Sequence, residues 1–526
     1  MNLIDYLHHH ASVHPDTPAI ICDDETVTYA QLSALVKAEA QRLRQEEGVV
    51  PGQIYQFVAS QDVPYLVRFF ALHEVGAISV PVDAIMDDLP DYHNPAISDI
   101  LFTTGSTSKP KGVLLSNEAI MADAENLIDS QGFHAGLVFV ICGPLHHFGS
   151  WSKVLPSIVT GGTLYLLQGL KDIEALFSAL GSAPRTATFL VPSAIRMLMQ
   201  LHKERLMSLA DNIEFIETGA APIATTDMEQ LRDLLPMTRL YNTYASTETG
   251  IVCTFPFHRP ACCAQGCVGP TMRHAKLRLD AEGHIIVRGP MIMSGYLHDS
   301  KQLDEICTSD IGQLDADGNL FITGRDSDFI NVGGLKVAPA EVEDVAMSMP
   351  GIADCICLPV QHPMMGQIPR LLVVMKPGVT FNKKAIIQYL KERLETFKIP
   401  LQYAVIPEVK KTFNGKKDRR ADYRPIRERV ETAQNITEFQ RRVYLELLNV
   451  PRGETITYGQ LAQRIGCGSA QAVGQALRHN PFAPEVPCHR VIAADGSLHG
   501  FNGQREGEML ERKRQLLIEE GAISPK

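Results

Sequence analysis

Thr103-Thr104-Gly105-Ser106-Thr107-Ser108-Lys109-Pro110-Lys111-Gly112 packs hydroxylated residues and glycine ahead of a Pro-Lys-Gly turn. A loop of that composition lets backbone N–H groups approach a polyphosphate, with the hydroxyls and Lys111 adding donors and charge. Alone it reads equally well as a serine- and lysine-rich surface turn. Its ordered companions argue otherwise. They are Gly219-Ala220-Ala221-Pro222, Tyr244-Ala245-Ser246-Thr247-Glu248, Thr308-Ser309-Asp310, Gly324-Arg325-Asp326, Gly333-Gly334-Leu335-Lys336 and Thr412-Phe413-Asn414-Gly415-Lys416.

Around this loop, residues 1–325 alternate apolar strand-like runs with helical stretches. Ile20-Ile21-Cys22, Ile78-Ser79-Val80, Leu137 to Ile141 and Thr163 to Leu167 read as strands, and Tyr29 to Ala40 and Ala194 to Met199 as helices. That alternation predicts an α/β domain with largely buried sheets. Residues 326–423 carry fewer strands and a helix near Ile386 to Leu394, which predicts a small α+β unit. Residues 424–436 belong to a charge-dense stretch, Asp418 to Glu431, expected to be a solvated connector. Residues 437–526 read as mainly helical: Phe439 to Leu448, a helix-turn-helix-like pair at Tyr458 to Ile465 and Ala470 to Leu477, and Leu510 to Glu520.

At 526 residues the chain is too long for one core. A net charge of −11 argues against nucleic-acid or membrane-surface binding by the chain as a whole. No apolar run approaches a bilayer span, so no membrane partner is expected. Eleven cysteines without framework spacing suit reduced thiols and a cytoplasmic setting. Cys262, Cys263 and Cys267 lack a second ligand pair at zinc spacing and read as loop or buried thiols. His8-His9-His10 lie in the first amphipathic segment and are expected to be exposed helical residues.

The ordered set over residues 1 to about 420 resembles the adenylate-forming superfamily of acyl-CoA synthetases, peptide-synthetase adenylation domains and luciferases. The resemblance implies an adenylation large domain, a small mobile lid, and the use of ATP and Mg²⁺. It also implies an acceptor thiol, from coenzyme A or a carrier-protein phosphopantetheine. Residue by residue, it implies that Thr103, Thr104, Gly105, Ser106, Thr107 and Lys111 wrap the β- and γ-phosphates. Gly219 borders the nucleotide, Tyr244 stacks on adenine, Thr247 lies near the α-phosphate and Glu248 holds Mg²⁺. Asp310 and Arg325 serve the ribose. Lys416 on the lid bridges carboxylate and phosphate, and Asp326 is the hinge that brings Gly333-Gly334 and Lys336 inward for thiol attack. The physics agrees: two anions meet in adenylation, so cations must neutralise the approach.

Three features depart from that pattern. Ser108 stands for a glycine, Ala245 for a glycine beside the acyl pocket, and the stretch from Pro81-Val82-Asp83 to Thr103 is much shorter than in typical relatives. From Gly143 to Gly161, around His146 to Trp151, there is no acidic residue. An ammonium buried there would lack a partner, which favours a small organic acid over a free α-amino acid. Trp151 reads as a pocket wall or as core.

Near the C-terminus, Pro487-Cys488-His489-Arg490-Val491 follows Thr457-Tyr458-Gly459-Gln460-Leu461-Ala462, Ala472-Val473-Gly474 and Arg478-His479-Asn480-Pro481. A thiolate is a soft nucleophile that needs a lowered pKa or a neighbouring base. The set resembles the catalytic half of O6-alkylguanine-DNA alkyltransferases. The resemblance implies Cys488 as alkyl acceptor, His489 and Glu520 as its relay, Asn480 shaping the turn, and Tyr458, Gln471 and Arg478 facing alkylated duplex DNA. Gln471 replaces an arginine that fills the gap left by an extruded base, and residues 504–509 lengthen the loop after Gly503. Residues 436–526 carry eleven Lys+Arg against ten Asp+Glu, a weak DNA signature. Arg441, Arg442 and Arg478 are the candidates for a local patch. A metabolic small-molecule transfer or a purely binding role for this domain stays open beside DNA repair. For the ligase half, an acyl-carrier protein stays open as partner.

Overall fold

The computed structural model describes residues 1–103, 111–170, 172–258, 264–299, 303–412, 416–498, 500 and 508–524. It comprises two compact units, Met1–Arg419 and Arg420–Lys526. Thr104 to Thr107, Asn414-Gly415, Cys262-Cys263 and the loop around Gly503 lie outside the described residues.

Among the described residues the first unit holds four sheets, three before the lid and one within it. In the largest, the strands Arg239–Ser246, Ile213–Gly219, Thr186–Phe189, Val138–Ile141, Thr163–Leu166 and Pro18–Cys22 run parallel in that spatial order. Gly250–Pro256 and Glu25–Thr28 close its edges antiparallel. Helices cover both faces, so its strands bury residues pointing either way: Phe139 and Val140, Phe215 and Ile216 are all at most 2% exposed. A second sheet orders Gly295–Tyr296, Lys111–Ser116, Ile97–Thr103, Ile78–Val82 and Ile54–Val58. A third is antiparallel and includes Ile306–Leu314 and Leu320–Arg325. The expected α/β architecture is present, with the strands where the apolar runs put them.

The shortened stretch leaves its mark between Ile78–Val82 and Ile97–Thr103. These neighbours run parallel, and such a pair is usually joined through a helix. Here residues 83–96 contain no helix. Met86, Leu89 and Tyr92 instead pack directly on the small core under the sheet.

The lid has its own core of Val342, Leu371, Val373 and Ile386. It has more strand than expected: Ile352–His362 and Gly366–Met375 form a long hairpin, joined by three shorter strands. Its second helix is Lys383–Lys391, three residues earlier than expected, because Asn382 caps it by accepting from the Ala385 N–H.

The second unit is mainly helical, as expected. Glu438–Leu447, Tyr458–Arg464, Ala470–Arg478 and Glu508–Glu519 surround Val443, Tyr444, Leu447, Leu461, Val473 and Val491. Tyr458–Arg464 starts on a capping box of Thr457 and Gln460, and Ser469 caps Ala470–Arg478, which defines the helix-turn-helix pair.

The stretch 424–436 corrects an expectation. It holds the helix Ile426–Thr432, whose Val430 is fully buried in the same core. Arg441 fastens it by donating to the carbonyls of Val430 (2.7 Å) and Ala433 (2.9 Å). Val430, with Ile426 packed beside the same core, docks this short helix, and an arginine satisfies its last carbonyls. His8 and His10 are likewise not free. His8 bonds Ser33 (2.9 Å) and Glu74 (2.8 Å), and His10 the carbonyl of Val159 (3.1 Å).

Candidate active sites

In the first unit the carboxyl ends of parallel strands converge, which is where open α/β sheets bind ligands. Thr103 and Lys111 are register partners on antiparallel strands, so they form the two posts of the serine-rich loop. Lys111 Nζ lies 5.1 Å from the ring centre of Tyr296, whose hydroxyl donates to Glu248 Oε1 at 3.3 Å. Thr247 and Glu248 sit on a tight turn held by reciprocal bonds between Ser246 and Thr249 (3.1 and 3.2 Å). Gly219 ends its strand so close to Thr243 that a Cβ would stand 2.7 Å from the Thr243 carbonyl oxygen. Only glycine fits there.

Asp310 and Arg325 are opposite one another on adjacent strands. Arg325 Nε donates to Asp310 Oδ1 at 2.6 Å, and the Tyr244 hydroxyl donates to Oδ2 at 2.8 Å. Burial, then the Asp310 charge, pushes the Tyr244 phenol well above its ordinary range, so it remains a donor. Lys416 is solvent-accessible yet crowded. That crowding, followed by Arg325, holds its ammonium below the ordinary lysine range, while Asp310 and Glu248 pull the other way. The structure thus brings Lys416 into the electrostatic reach of Arg325, Asp310 and Glu248. Lys336 goes elsewhere: its Nζ pairs with Asp326 at 2.9 Å and lies over Phe329.

A residue that sequence reasoning missed anchors the segment just after Lys416. Glu343, on the helix Pro339–Met347, is 5% exposed. Its carboxylate accepts from Lys417 Nζ (3.0 Å), Arg419 Nη1 (2.5 Å) and the Cys357 N–H (2.8 Å). Burial opposes its charge, but Lys417 and Arg419 hold the carboxyl below the usual range. Both cations also donate to carbonyls of the lid sheet, Lys417 to Cys355 (2.6 Å) and Arg419 to Cys357 (2.9 Å). Such a buried network favours one arrangement, and here it anchors Lys417 and Arg419, on either side of Asp418. No local pattern announces it, because its two cationic partners are more than seventy residues away.

Trp151 is 1% exposed and is part of the main core, so it is packing rather than a pocket wall. Gly143 to Gly161 has no acid of its own, but the neighbouring strand supplies Glu217, which pairs with Lys153 at 2.8 Å.

In the second unit Cys488 is 5% exposed, on a single turn Cys488–Arg490. His489, 3% exposed, shares its Nε2 with Glu520 Oε1 at 3.1 Å. Its Nδ1 is buried and makes no hydrogen bond among the described residues. Arg490 grips the same carboxylate with Nε and Nη2, both at 2.7 Å. That grip, opposed by burial and assisted by His489, holds Glu520 down at about 2. Burial lowers the His489 imidazole, which therefore stays neutral and basic-competent. Asn480 shapes the turn, accepting from the Phe482 N–H (3.0 Å) and donating to the Val486 carbonyl (3.1 Å).

Lys513 was also missed. It is fully buried, donates to the carbonyls of Val491 and Leu498 (both 2.6 Å), and burial lowers it to about 8. Cys488 feels two opposing influences: burial raises its thiol, while Asn480 and then Lys513 lower it. Of the patch candidates, Arg441 and Arg442 are engaged with backbone carbonyls, Arg442 with that of Ile465. The exposed face of Ala470–Arg478 shows Ala470, Gln471, Gln475 and Arg478, and Tyr458 is half-buried beside Gly474.

Residues 7–101 and 86–297 match the family described as AMP-binding enzyme, in two pieces that overlap beside the shortened stretch. Residues 341–416 match the AMP-binding enzyme C-terminal domain. Residues 438–522 match the 6-O-methylguanine DNA methyltransferase, DNA binding domain. An indoleacetate–CoA ligase of Aromatoleum aromaticum is 25% identical over 496 residues, covering 79% of this chain and 96% of that protein. A 2-succinylbenzoate–CoA ligase of Listeria monocytogenes is 24% identical over 416 residues, covering 76% and 86%. The ATP-bound MatB structure from Rhodopseudomonas palustris superposes with a TM-score of 0.69 at 21% identity, covering 79% of this chain and 97% of that one, a likeness of fold.

Because burial raises the Cys488 thiol, its alkylation by iodoacetamide should keep accelerating with pH into the alkaline range, beyond where a free thiol levels off. Lys513→Met should slow that alkylation severalfold at pH 8, read by intact mass. A plateau near neutral pH would contradict the burial account.

Proposed function

The chain belongs to the AMP-binding enzyme family, and from that premise we propose that residues 1–419 join a small organic acid to the thiol of coenzyme A at the expense of ATP. A carboxylate oxygen attacks the α-phosphorus, the bond to the bridging oxygen breaks, and pyrophosphate leaves. The acceptor sulfur then attacks the acyl carbon, AMP leaves, and the thiol proton passes to solvent. The relatives that cover most of the chain are named CoA ligases, which supports coenzyme A over a carrier-protein pantetheine as acceptor.

The observation that carries this reading is the meeting of lid and large domain at Lys416. Lys416 and Lys111 neutralise the approach of carboxylate to phosphate. Asp310, oriented by Arg325 and Tyr244, accepts from the ribose hydroxyls, and Tyr244 flanks adenine. Gly219 keeps the nucleotide edge free of side chains. Glu248 offers the hard carboxylate oxygen that Mg²⁺ takes, and the ion supplies charge neutralisation at the phosphates. Lys336, now held by Asp326, is released when the lid turns about Asp326 for thiol attack. Lys416→Ala should lower acid-dependent ATP–pyrophosphate exchange by about a hundredfold or more. It should leave thioester formation from a preformed acyl-adenylate within a few fold. Equal loss of both half-reactions would argue against the assignment.

For residues 420–526 we propose acceptance of an alkyl group by Cys488, with alkylated duplex DNA as donor. His489, aligned by Glu520, takes the thiol proton. The sulfur attacks the alkyl carbon, and the carbon–oxygen bond to the base breaks. The base leaves with that electron pair and gains a proton, so each chain reacts once. Asn480 and Lys513 favour the thiolate. Support comes from the His489–Glu520–Arg490 arrangement. A second reading, binding without chemistry, is favoured by the burial of Cys488 and by glutamine, rather than a cation, at position 471. Incubation with duplex DNA containing O6-methylguanine separates them. One methyl group gained per chain, absent in Cys488→Ala, supports alkyl transfer. No gain supports the binding role.

A further inference from the structure

Lys153 and Glu217 form a buried ion pair at the carboxyl ends of the parallel strands, 3% and 1% exposed and 2.8 Å apart. Removing two charges from water costs several kcal/mol per ion, and an apolar pair of similar volume is often as stable. The pair is also incomplete. Glu217 Oε2 is buried and has no hydrogen-bond partner among the described residues. A carboxylate oxygen left bare at the heart of a core is disfavoured unless something completes it.

The neighbours say what that is. Glu217 lies two residues before Gly219 on the same strand and so shares its face. Phe189, ending the adjacent strand, is wedged between two glycines. Cβ atoms at Gly149 and Gly219 would stand 3.1 and 3.5 Å from its ring carbons. Lys153 Nζ lies 5.3 Å from the centre of the same ring. The part-buried Phe189 ring thus packs against the Gly149 and Gly219 positions and stands beside the Lys153 ammonium.

Resting on the ligase reading above, we infer that this is the far end of the acid site. The acid taken carries an O–H or N–H donor at the end opposite its carboxylate, and Glu217 Oε2 receives it when the Phe189 ring turns aside. Lys153 neutralises Glu217, so the site takes a neutral donor rather than an ammonium. A second carboxylate in the substrate meets the negative oxygen and is rejected.

The test is acid-dependent ATP–pyrophosphate exchange with matched acids. Suitable pairs are 4-hydroxybenzoate and 4-fluorobenzoate, the corresponding 3-phenylpropanoates, and ω-hydroxy and ω-methyl aliphatic acids of several lengths. In wild type, the donor-bearing member of the best-accepted pair should exceed its partner in kcat/KM by at least about tenfold, the scale of a hydrogen bond to a charged group. In the double variant Lys153→Met/Glu217→Leu the ratio should fall to about 1. A wild-type ratio near 1 overturns the inference without any variant, as does a ratio the double variant preserves. Failure of every acid to support exchange would overturn the ligase reading itself, and this inference with it.

Discussion

The arrangement of the first unit depends on one buried carboxylate. Glu343 holds Lys417 and Arg419 against the edge of the lid sheet, and Lys416 is the residue immediately before that clamp. A long flexible lysine has many rotamers to lose, and an unanchored one would rarely point at a particular phosphate. Anchoring the next residue and the one after Asp418 fixes the backbone from which Lys416 extends. The cost of burying Glu343 is offset only because every lone pair in reach has a donor. Loss of one partner would leave a charge stranded.

A second constraint acts on the other side of the site. Asp310, Arg325 and Tyr244 form a hydrogen-bonded triad across two sheets, so the groups that would meet the nucleotide are already oriented. The Ser246–Thr249 turn does the same for Thr247 and Glu248. Preorganisation of this kind leaves little reorganisation for the reacting charges to drive. The C-terminal unit repeats the logic at smaller scale. Arg490 holds Glu520, Glu520 holds His489 through Nε2, and the buried Nδ1 makes no hydrogen bond among the described residues.

Much of this was legible in the residues. Apolar runs placed the parallel strands, the ordered small motifs picked out Tyr244, Asp310 and Arg325, which three strands from two sheets bring into hydrogen-bond contact, and cap residues delimited the helix-turn-helix. What escaped was long-range or depended on a single side chain. Val430, helped by Ile426 and Arg441, converts an apparently solvated charge run into a docked helix. Arg441 and Arg442, which looked available for phosphates, are spent on backbone carbonyls. Lys513 had a faint signal: it stands four residues from both Met509 and Leu517, on the apolar stripe of its helix. Glu343 and Glu217 had none, because their partners arrive from distant strands and helices.

The most direct measurement compares wild type with Glu343→Gln, which keeps the shape and the Cys357 contact but removes the charge that holds Lys417 and Arg419. With a well-accepted acid, ATP–pyrophosphate exchange by Glu343→Gln should fall at least about tenfold, while thioester formation from a preformed acyl-adenylate changes little. Exchange at the wild-type rate in a folded variant would mean that Lys416 reaches its place without the clamp, and the account would be wrong.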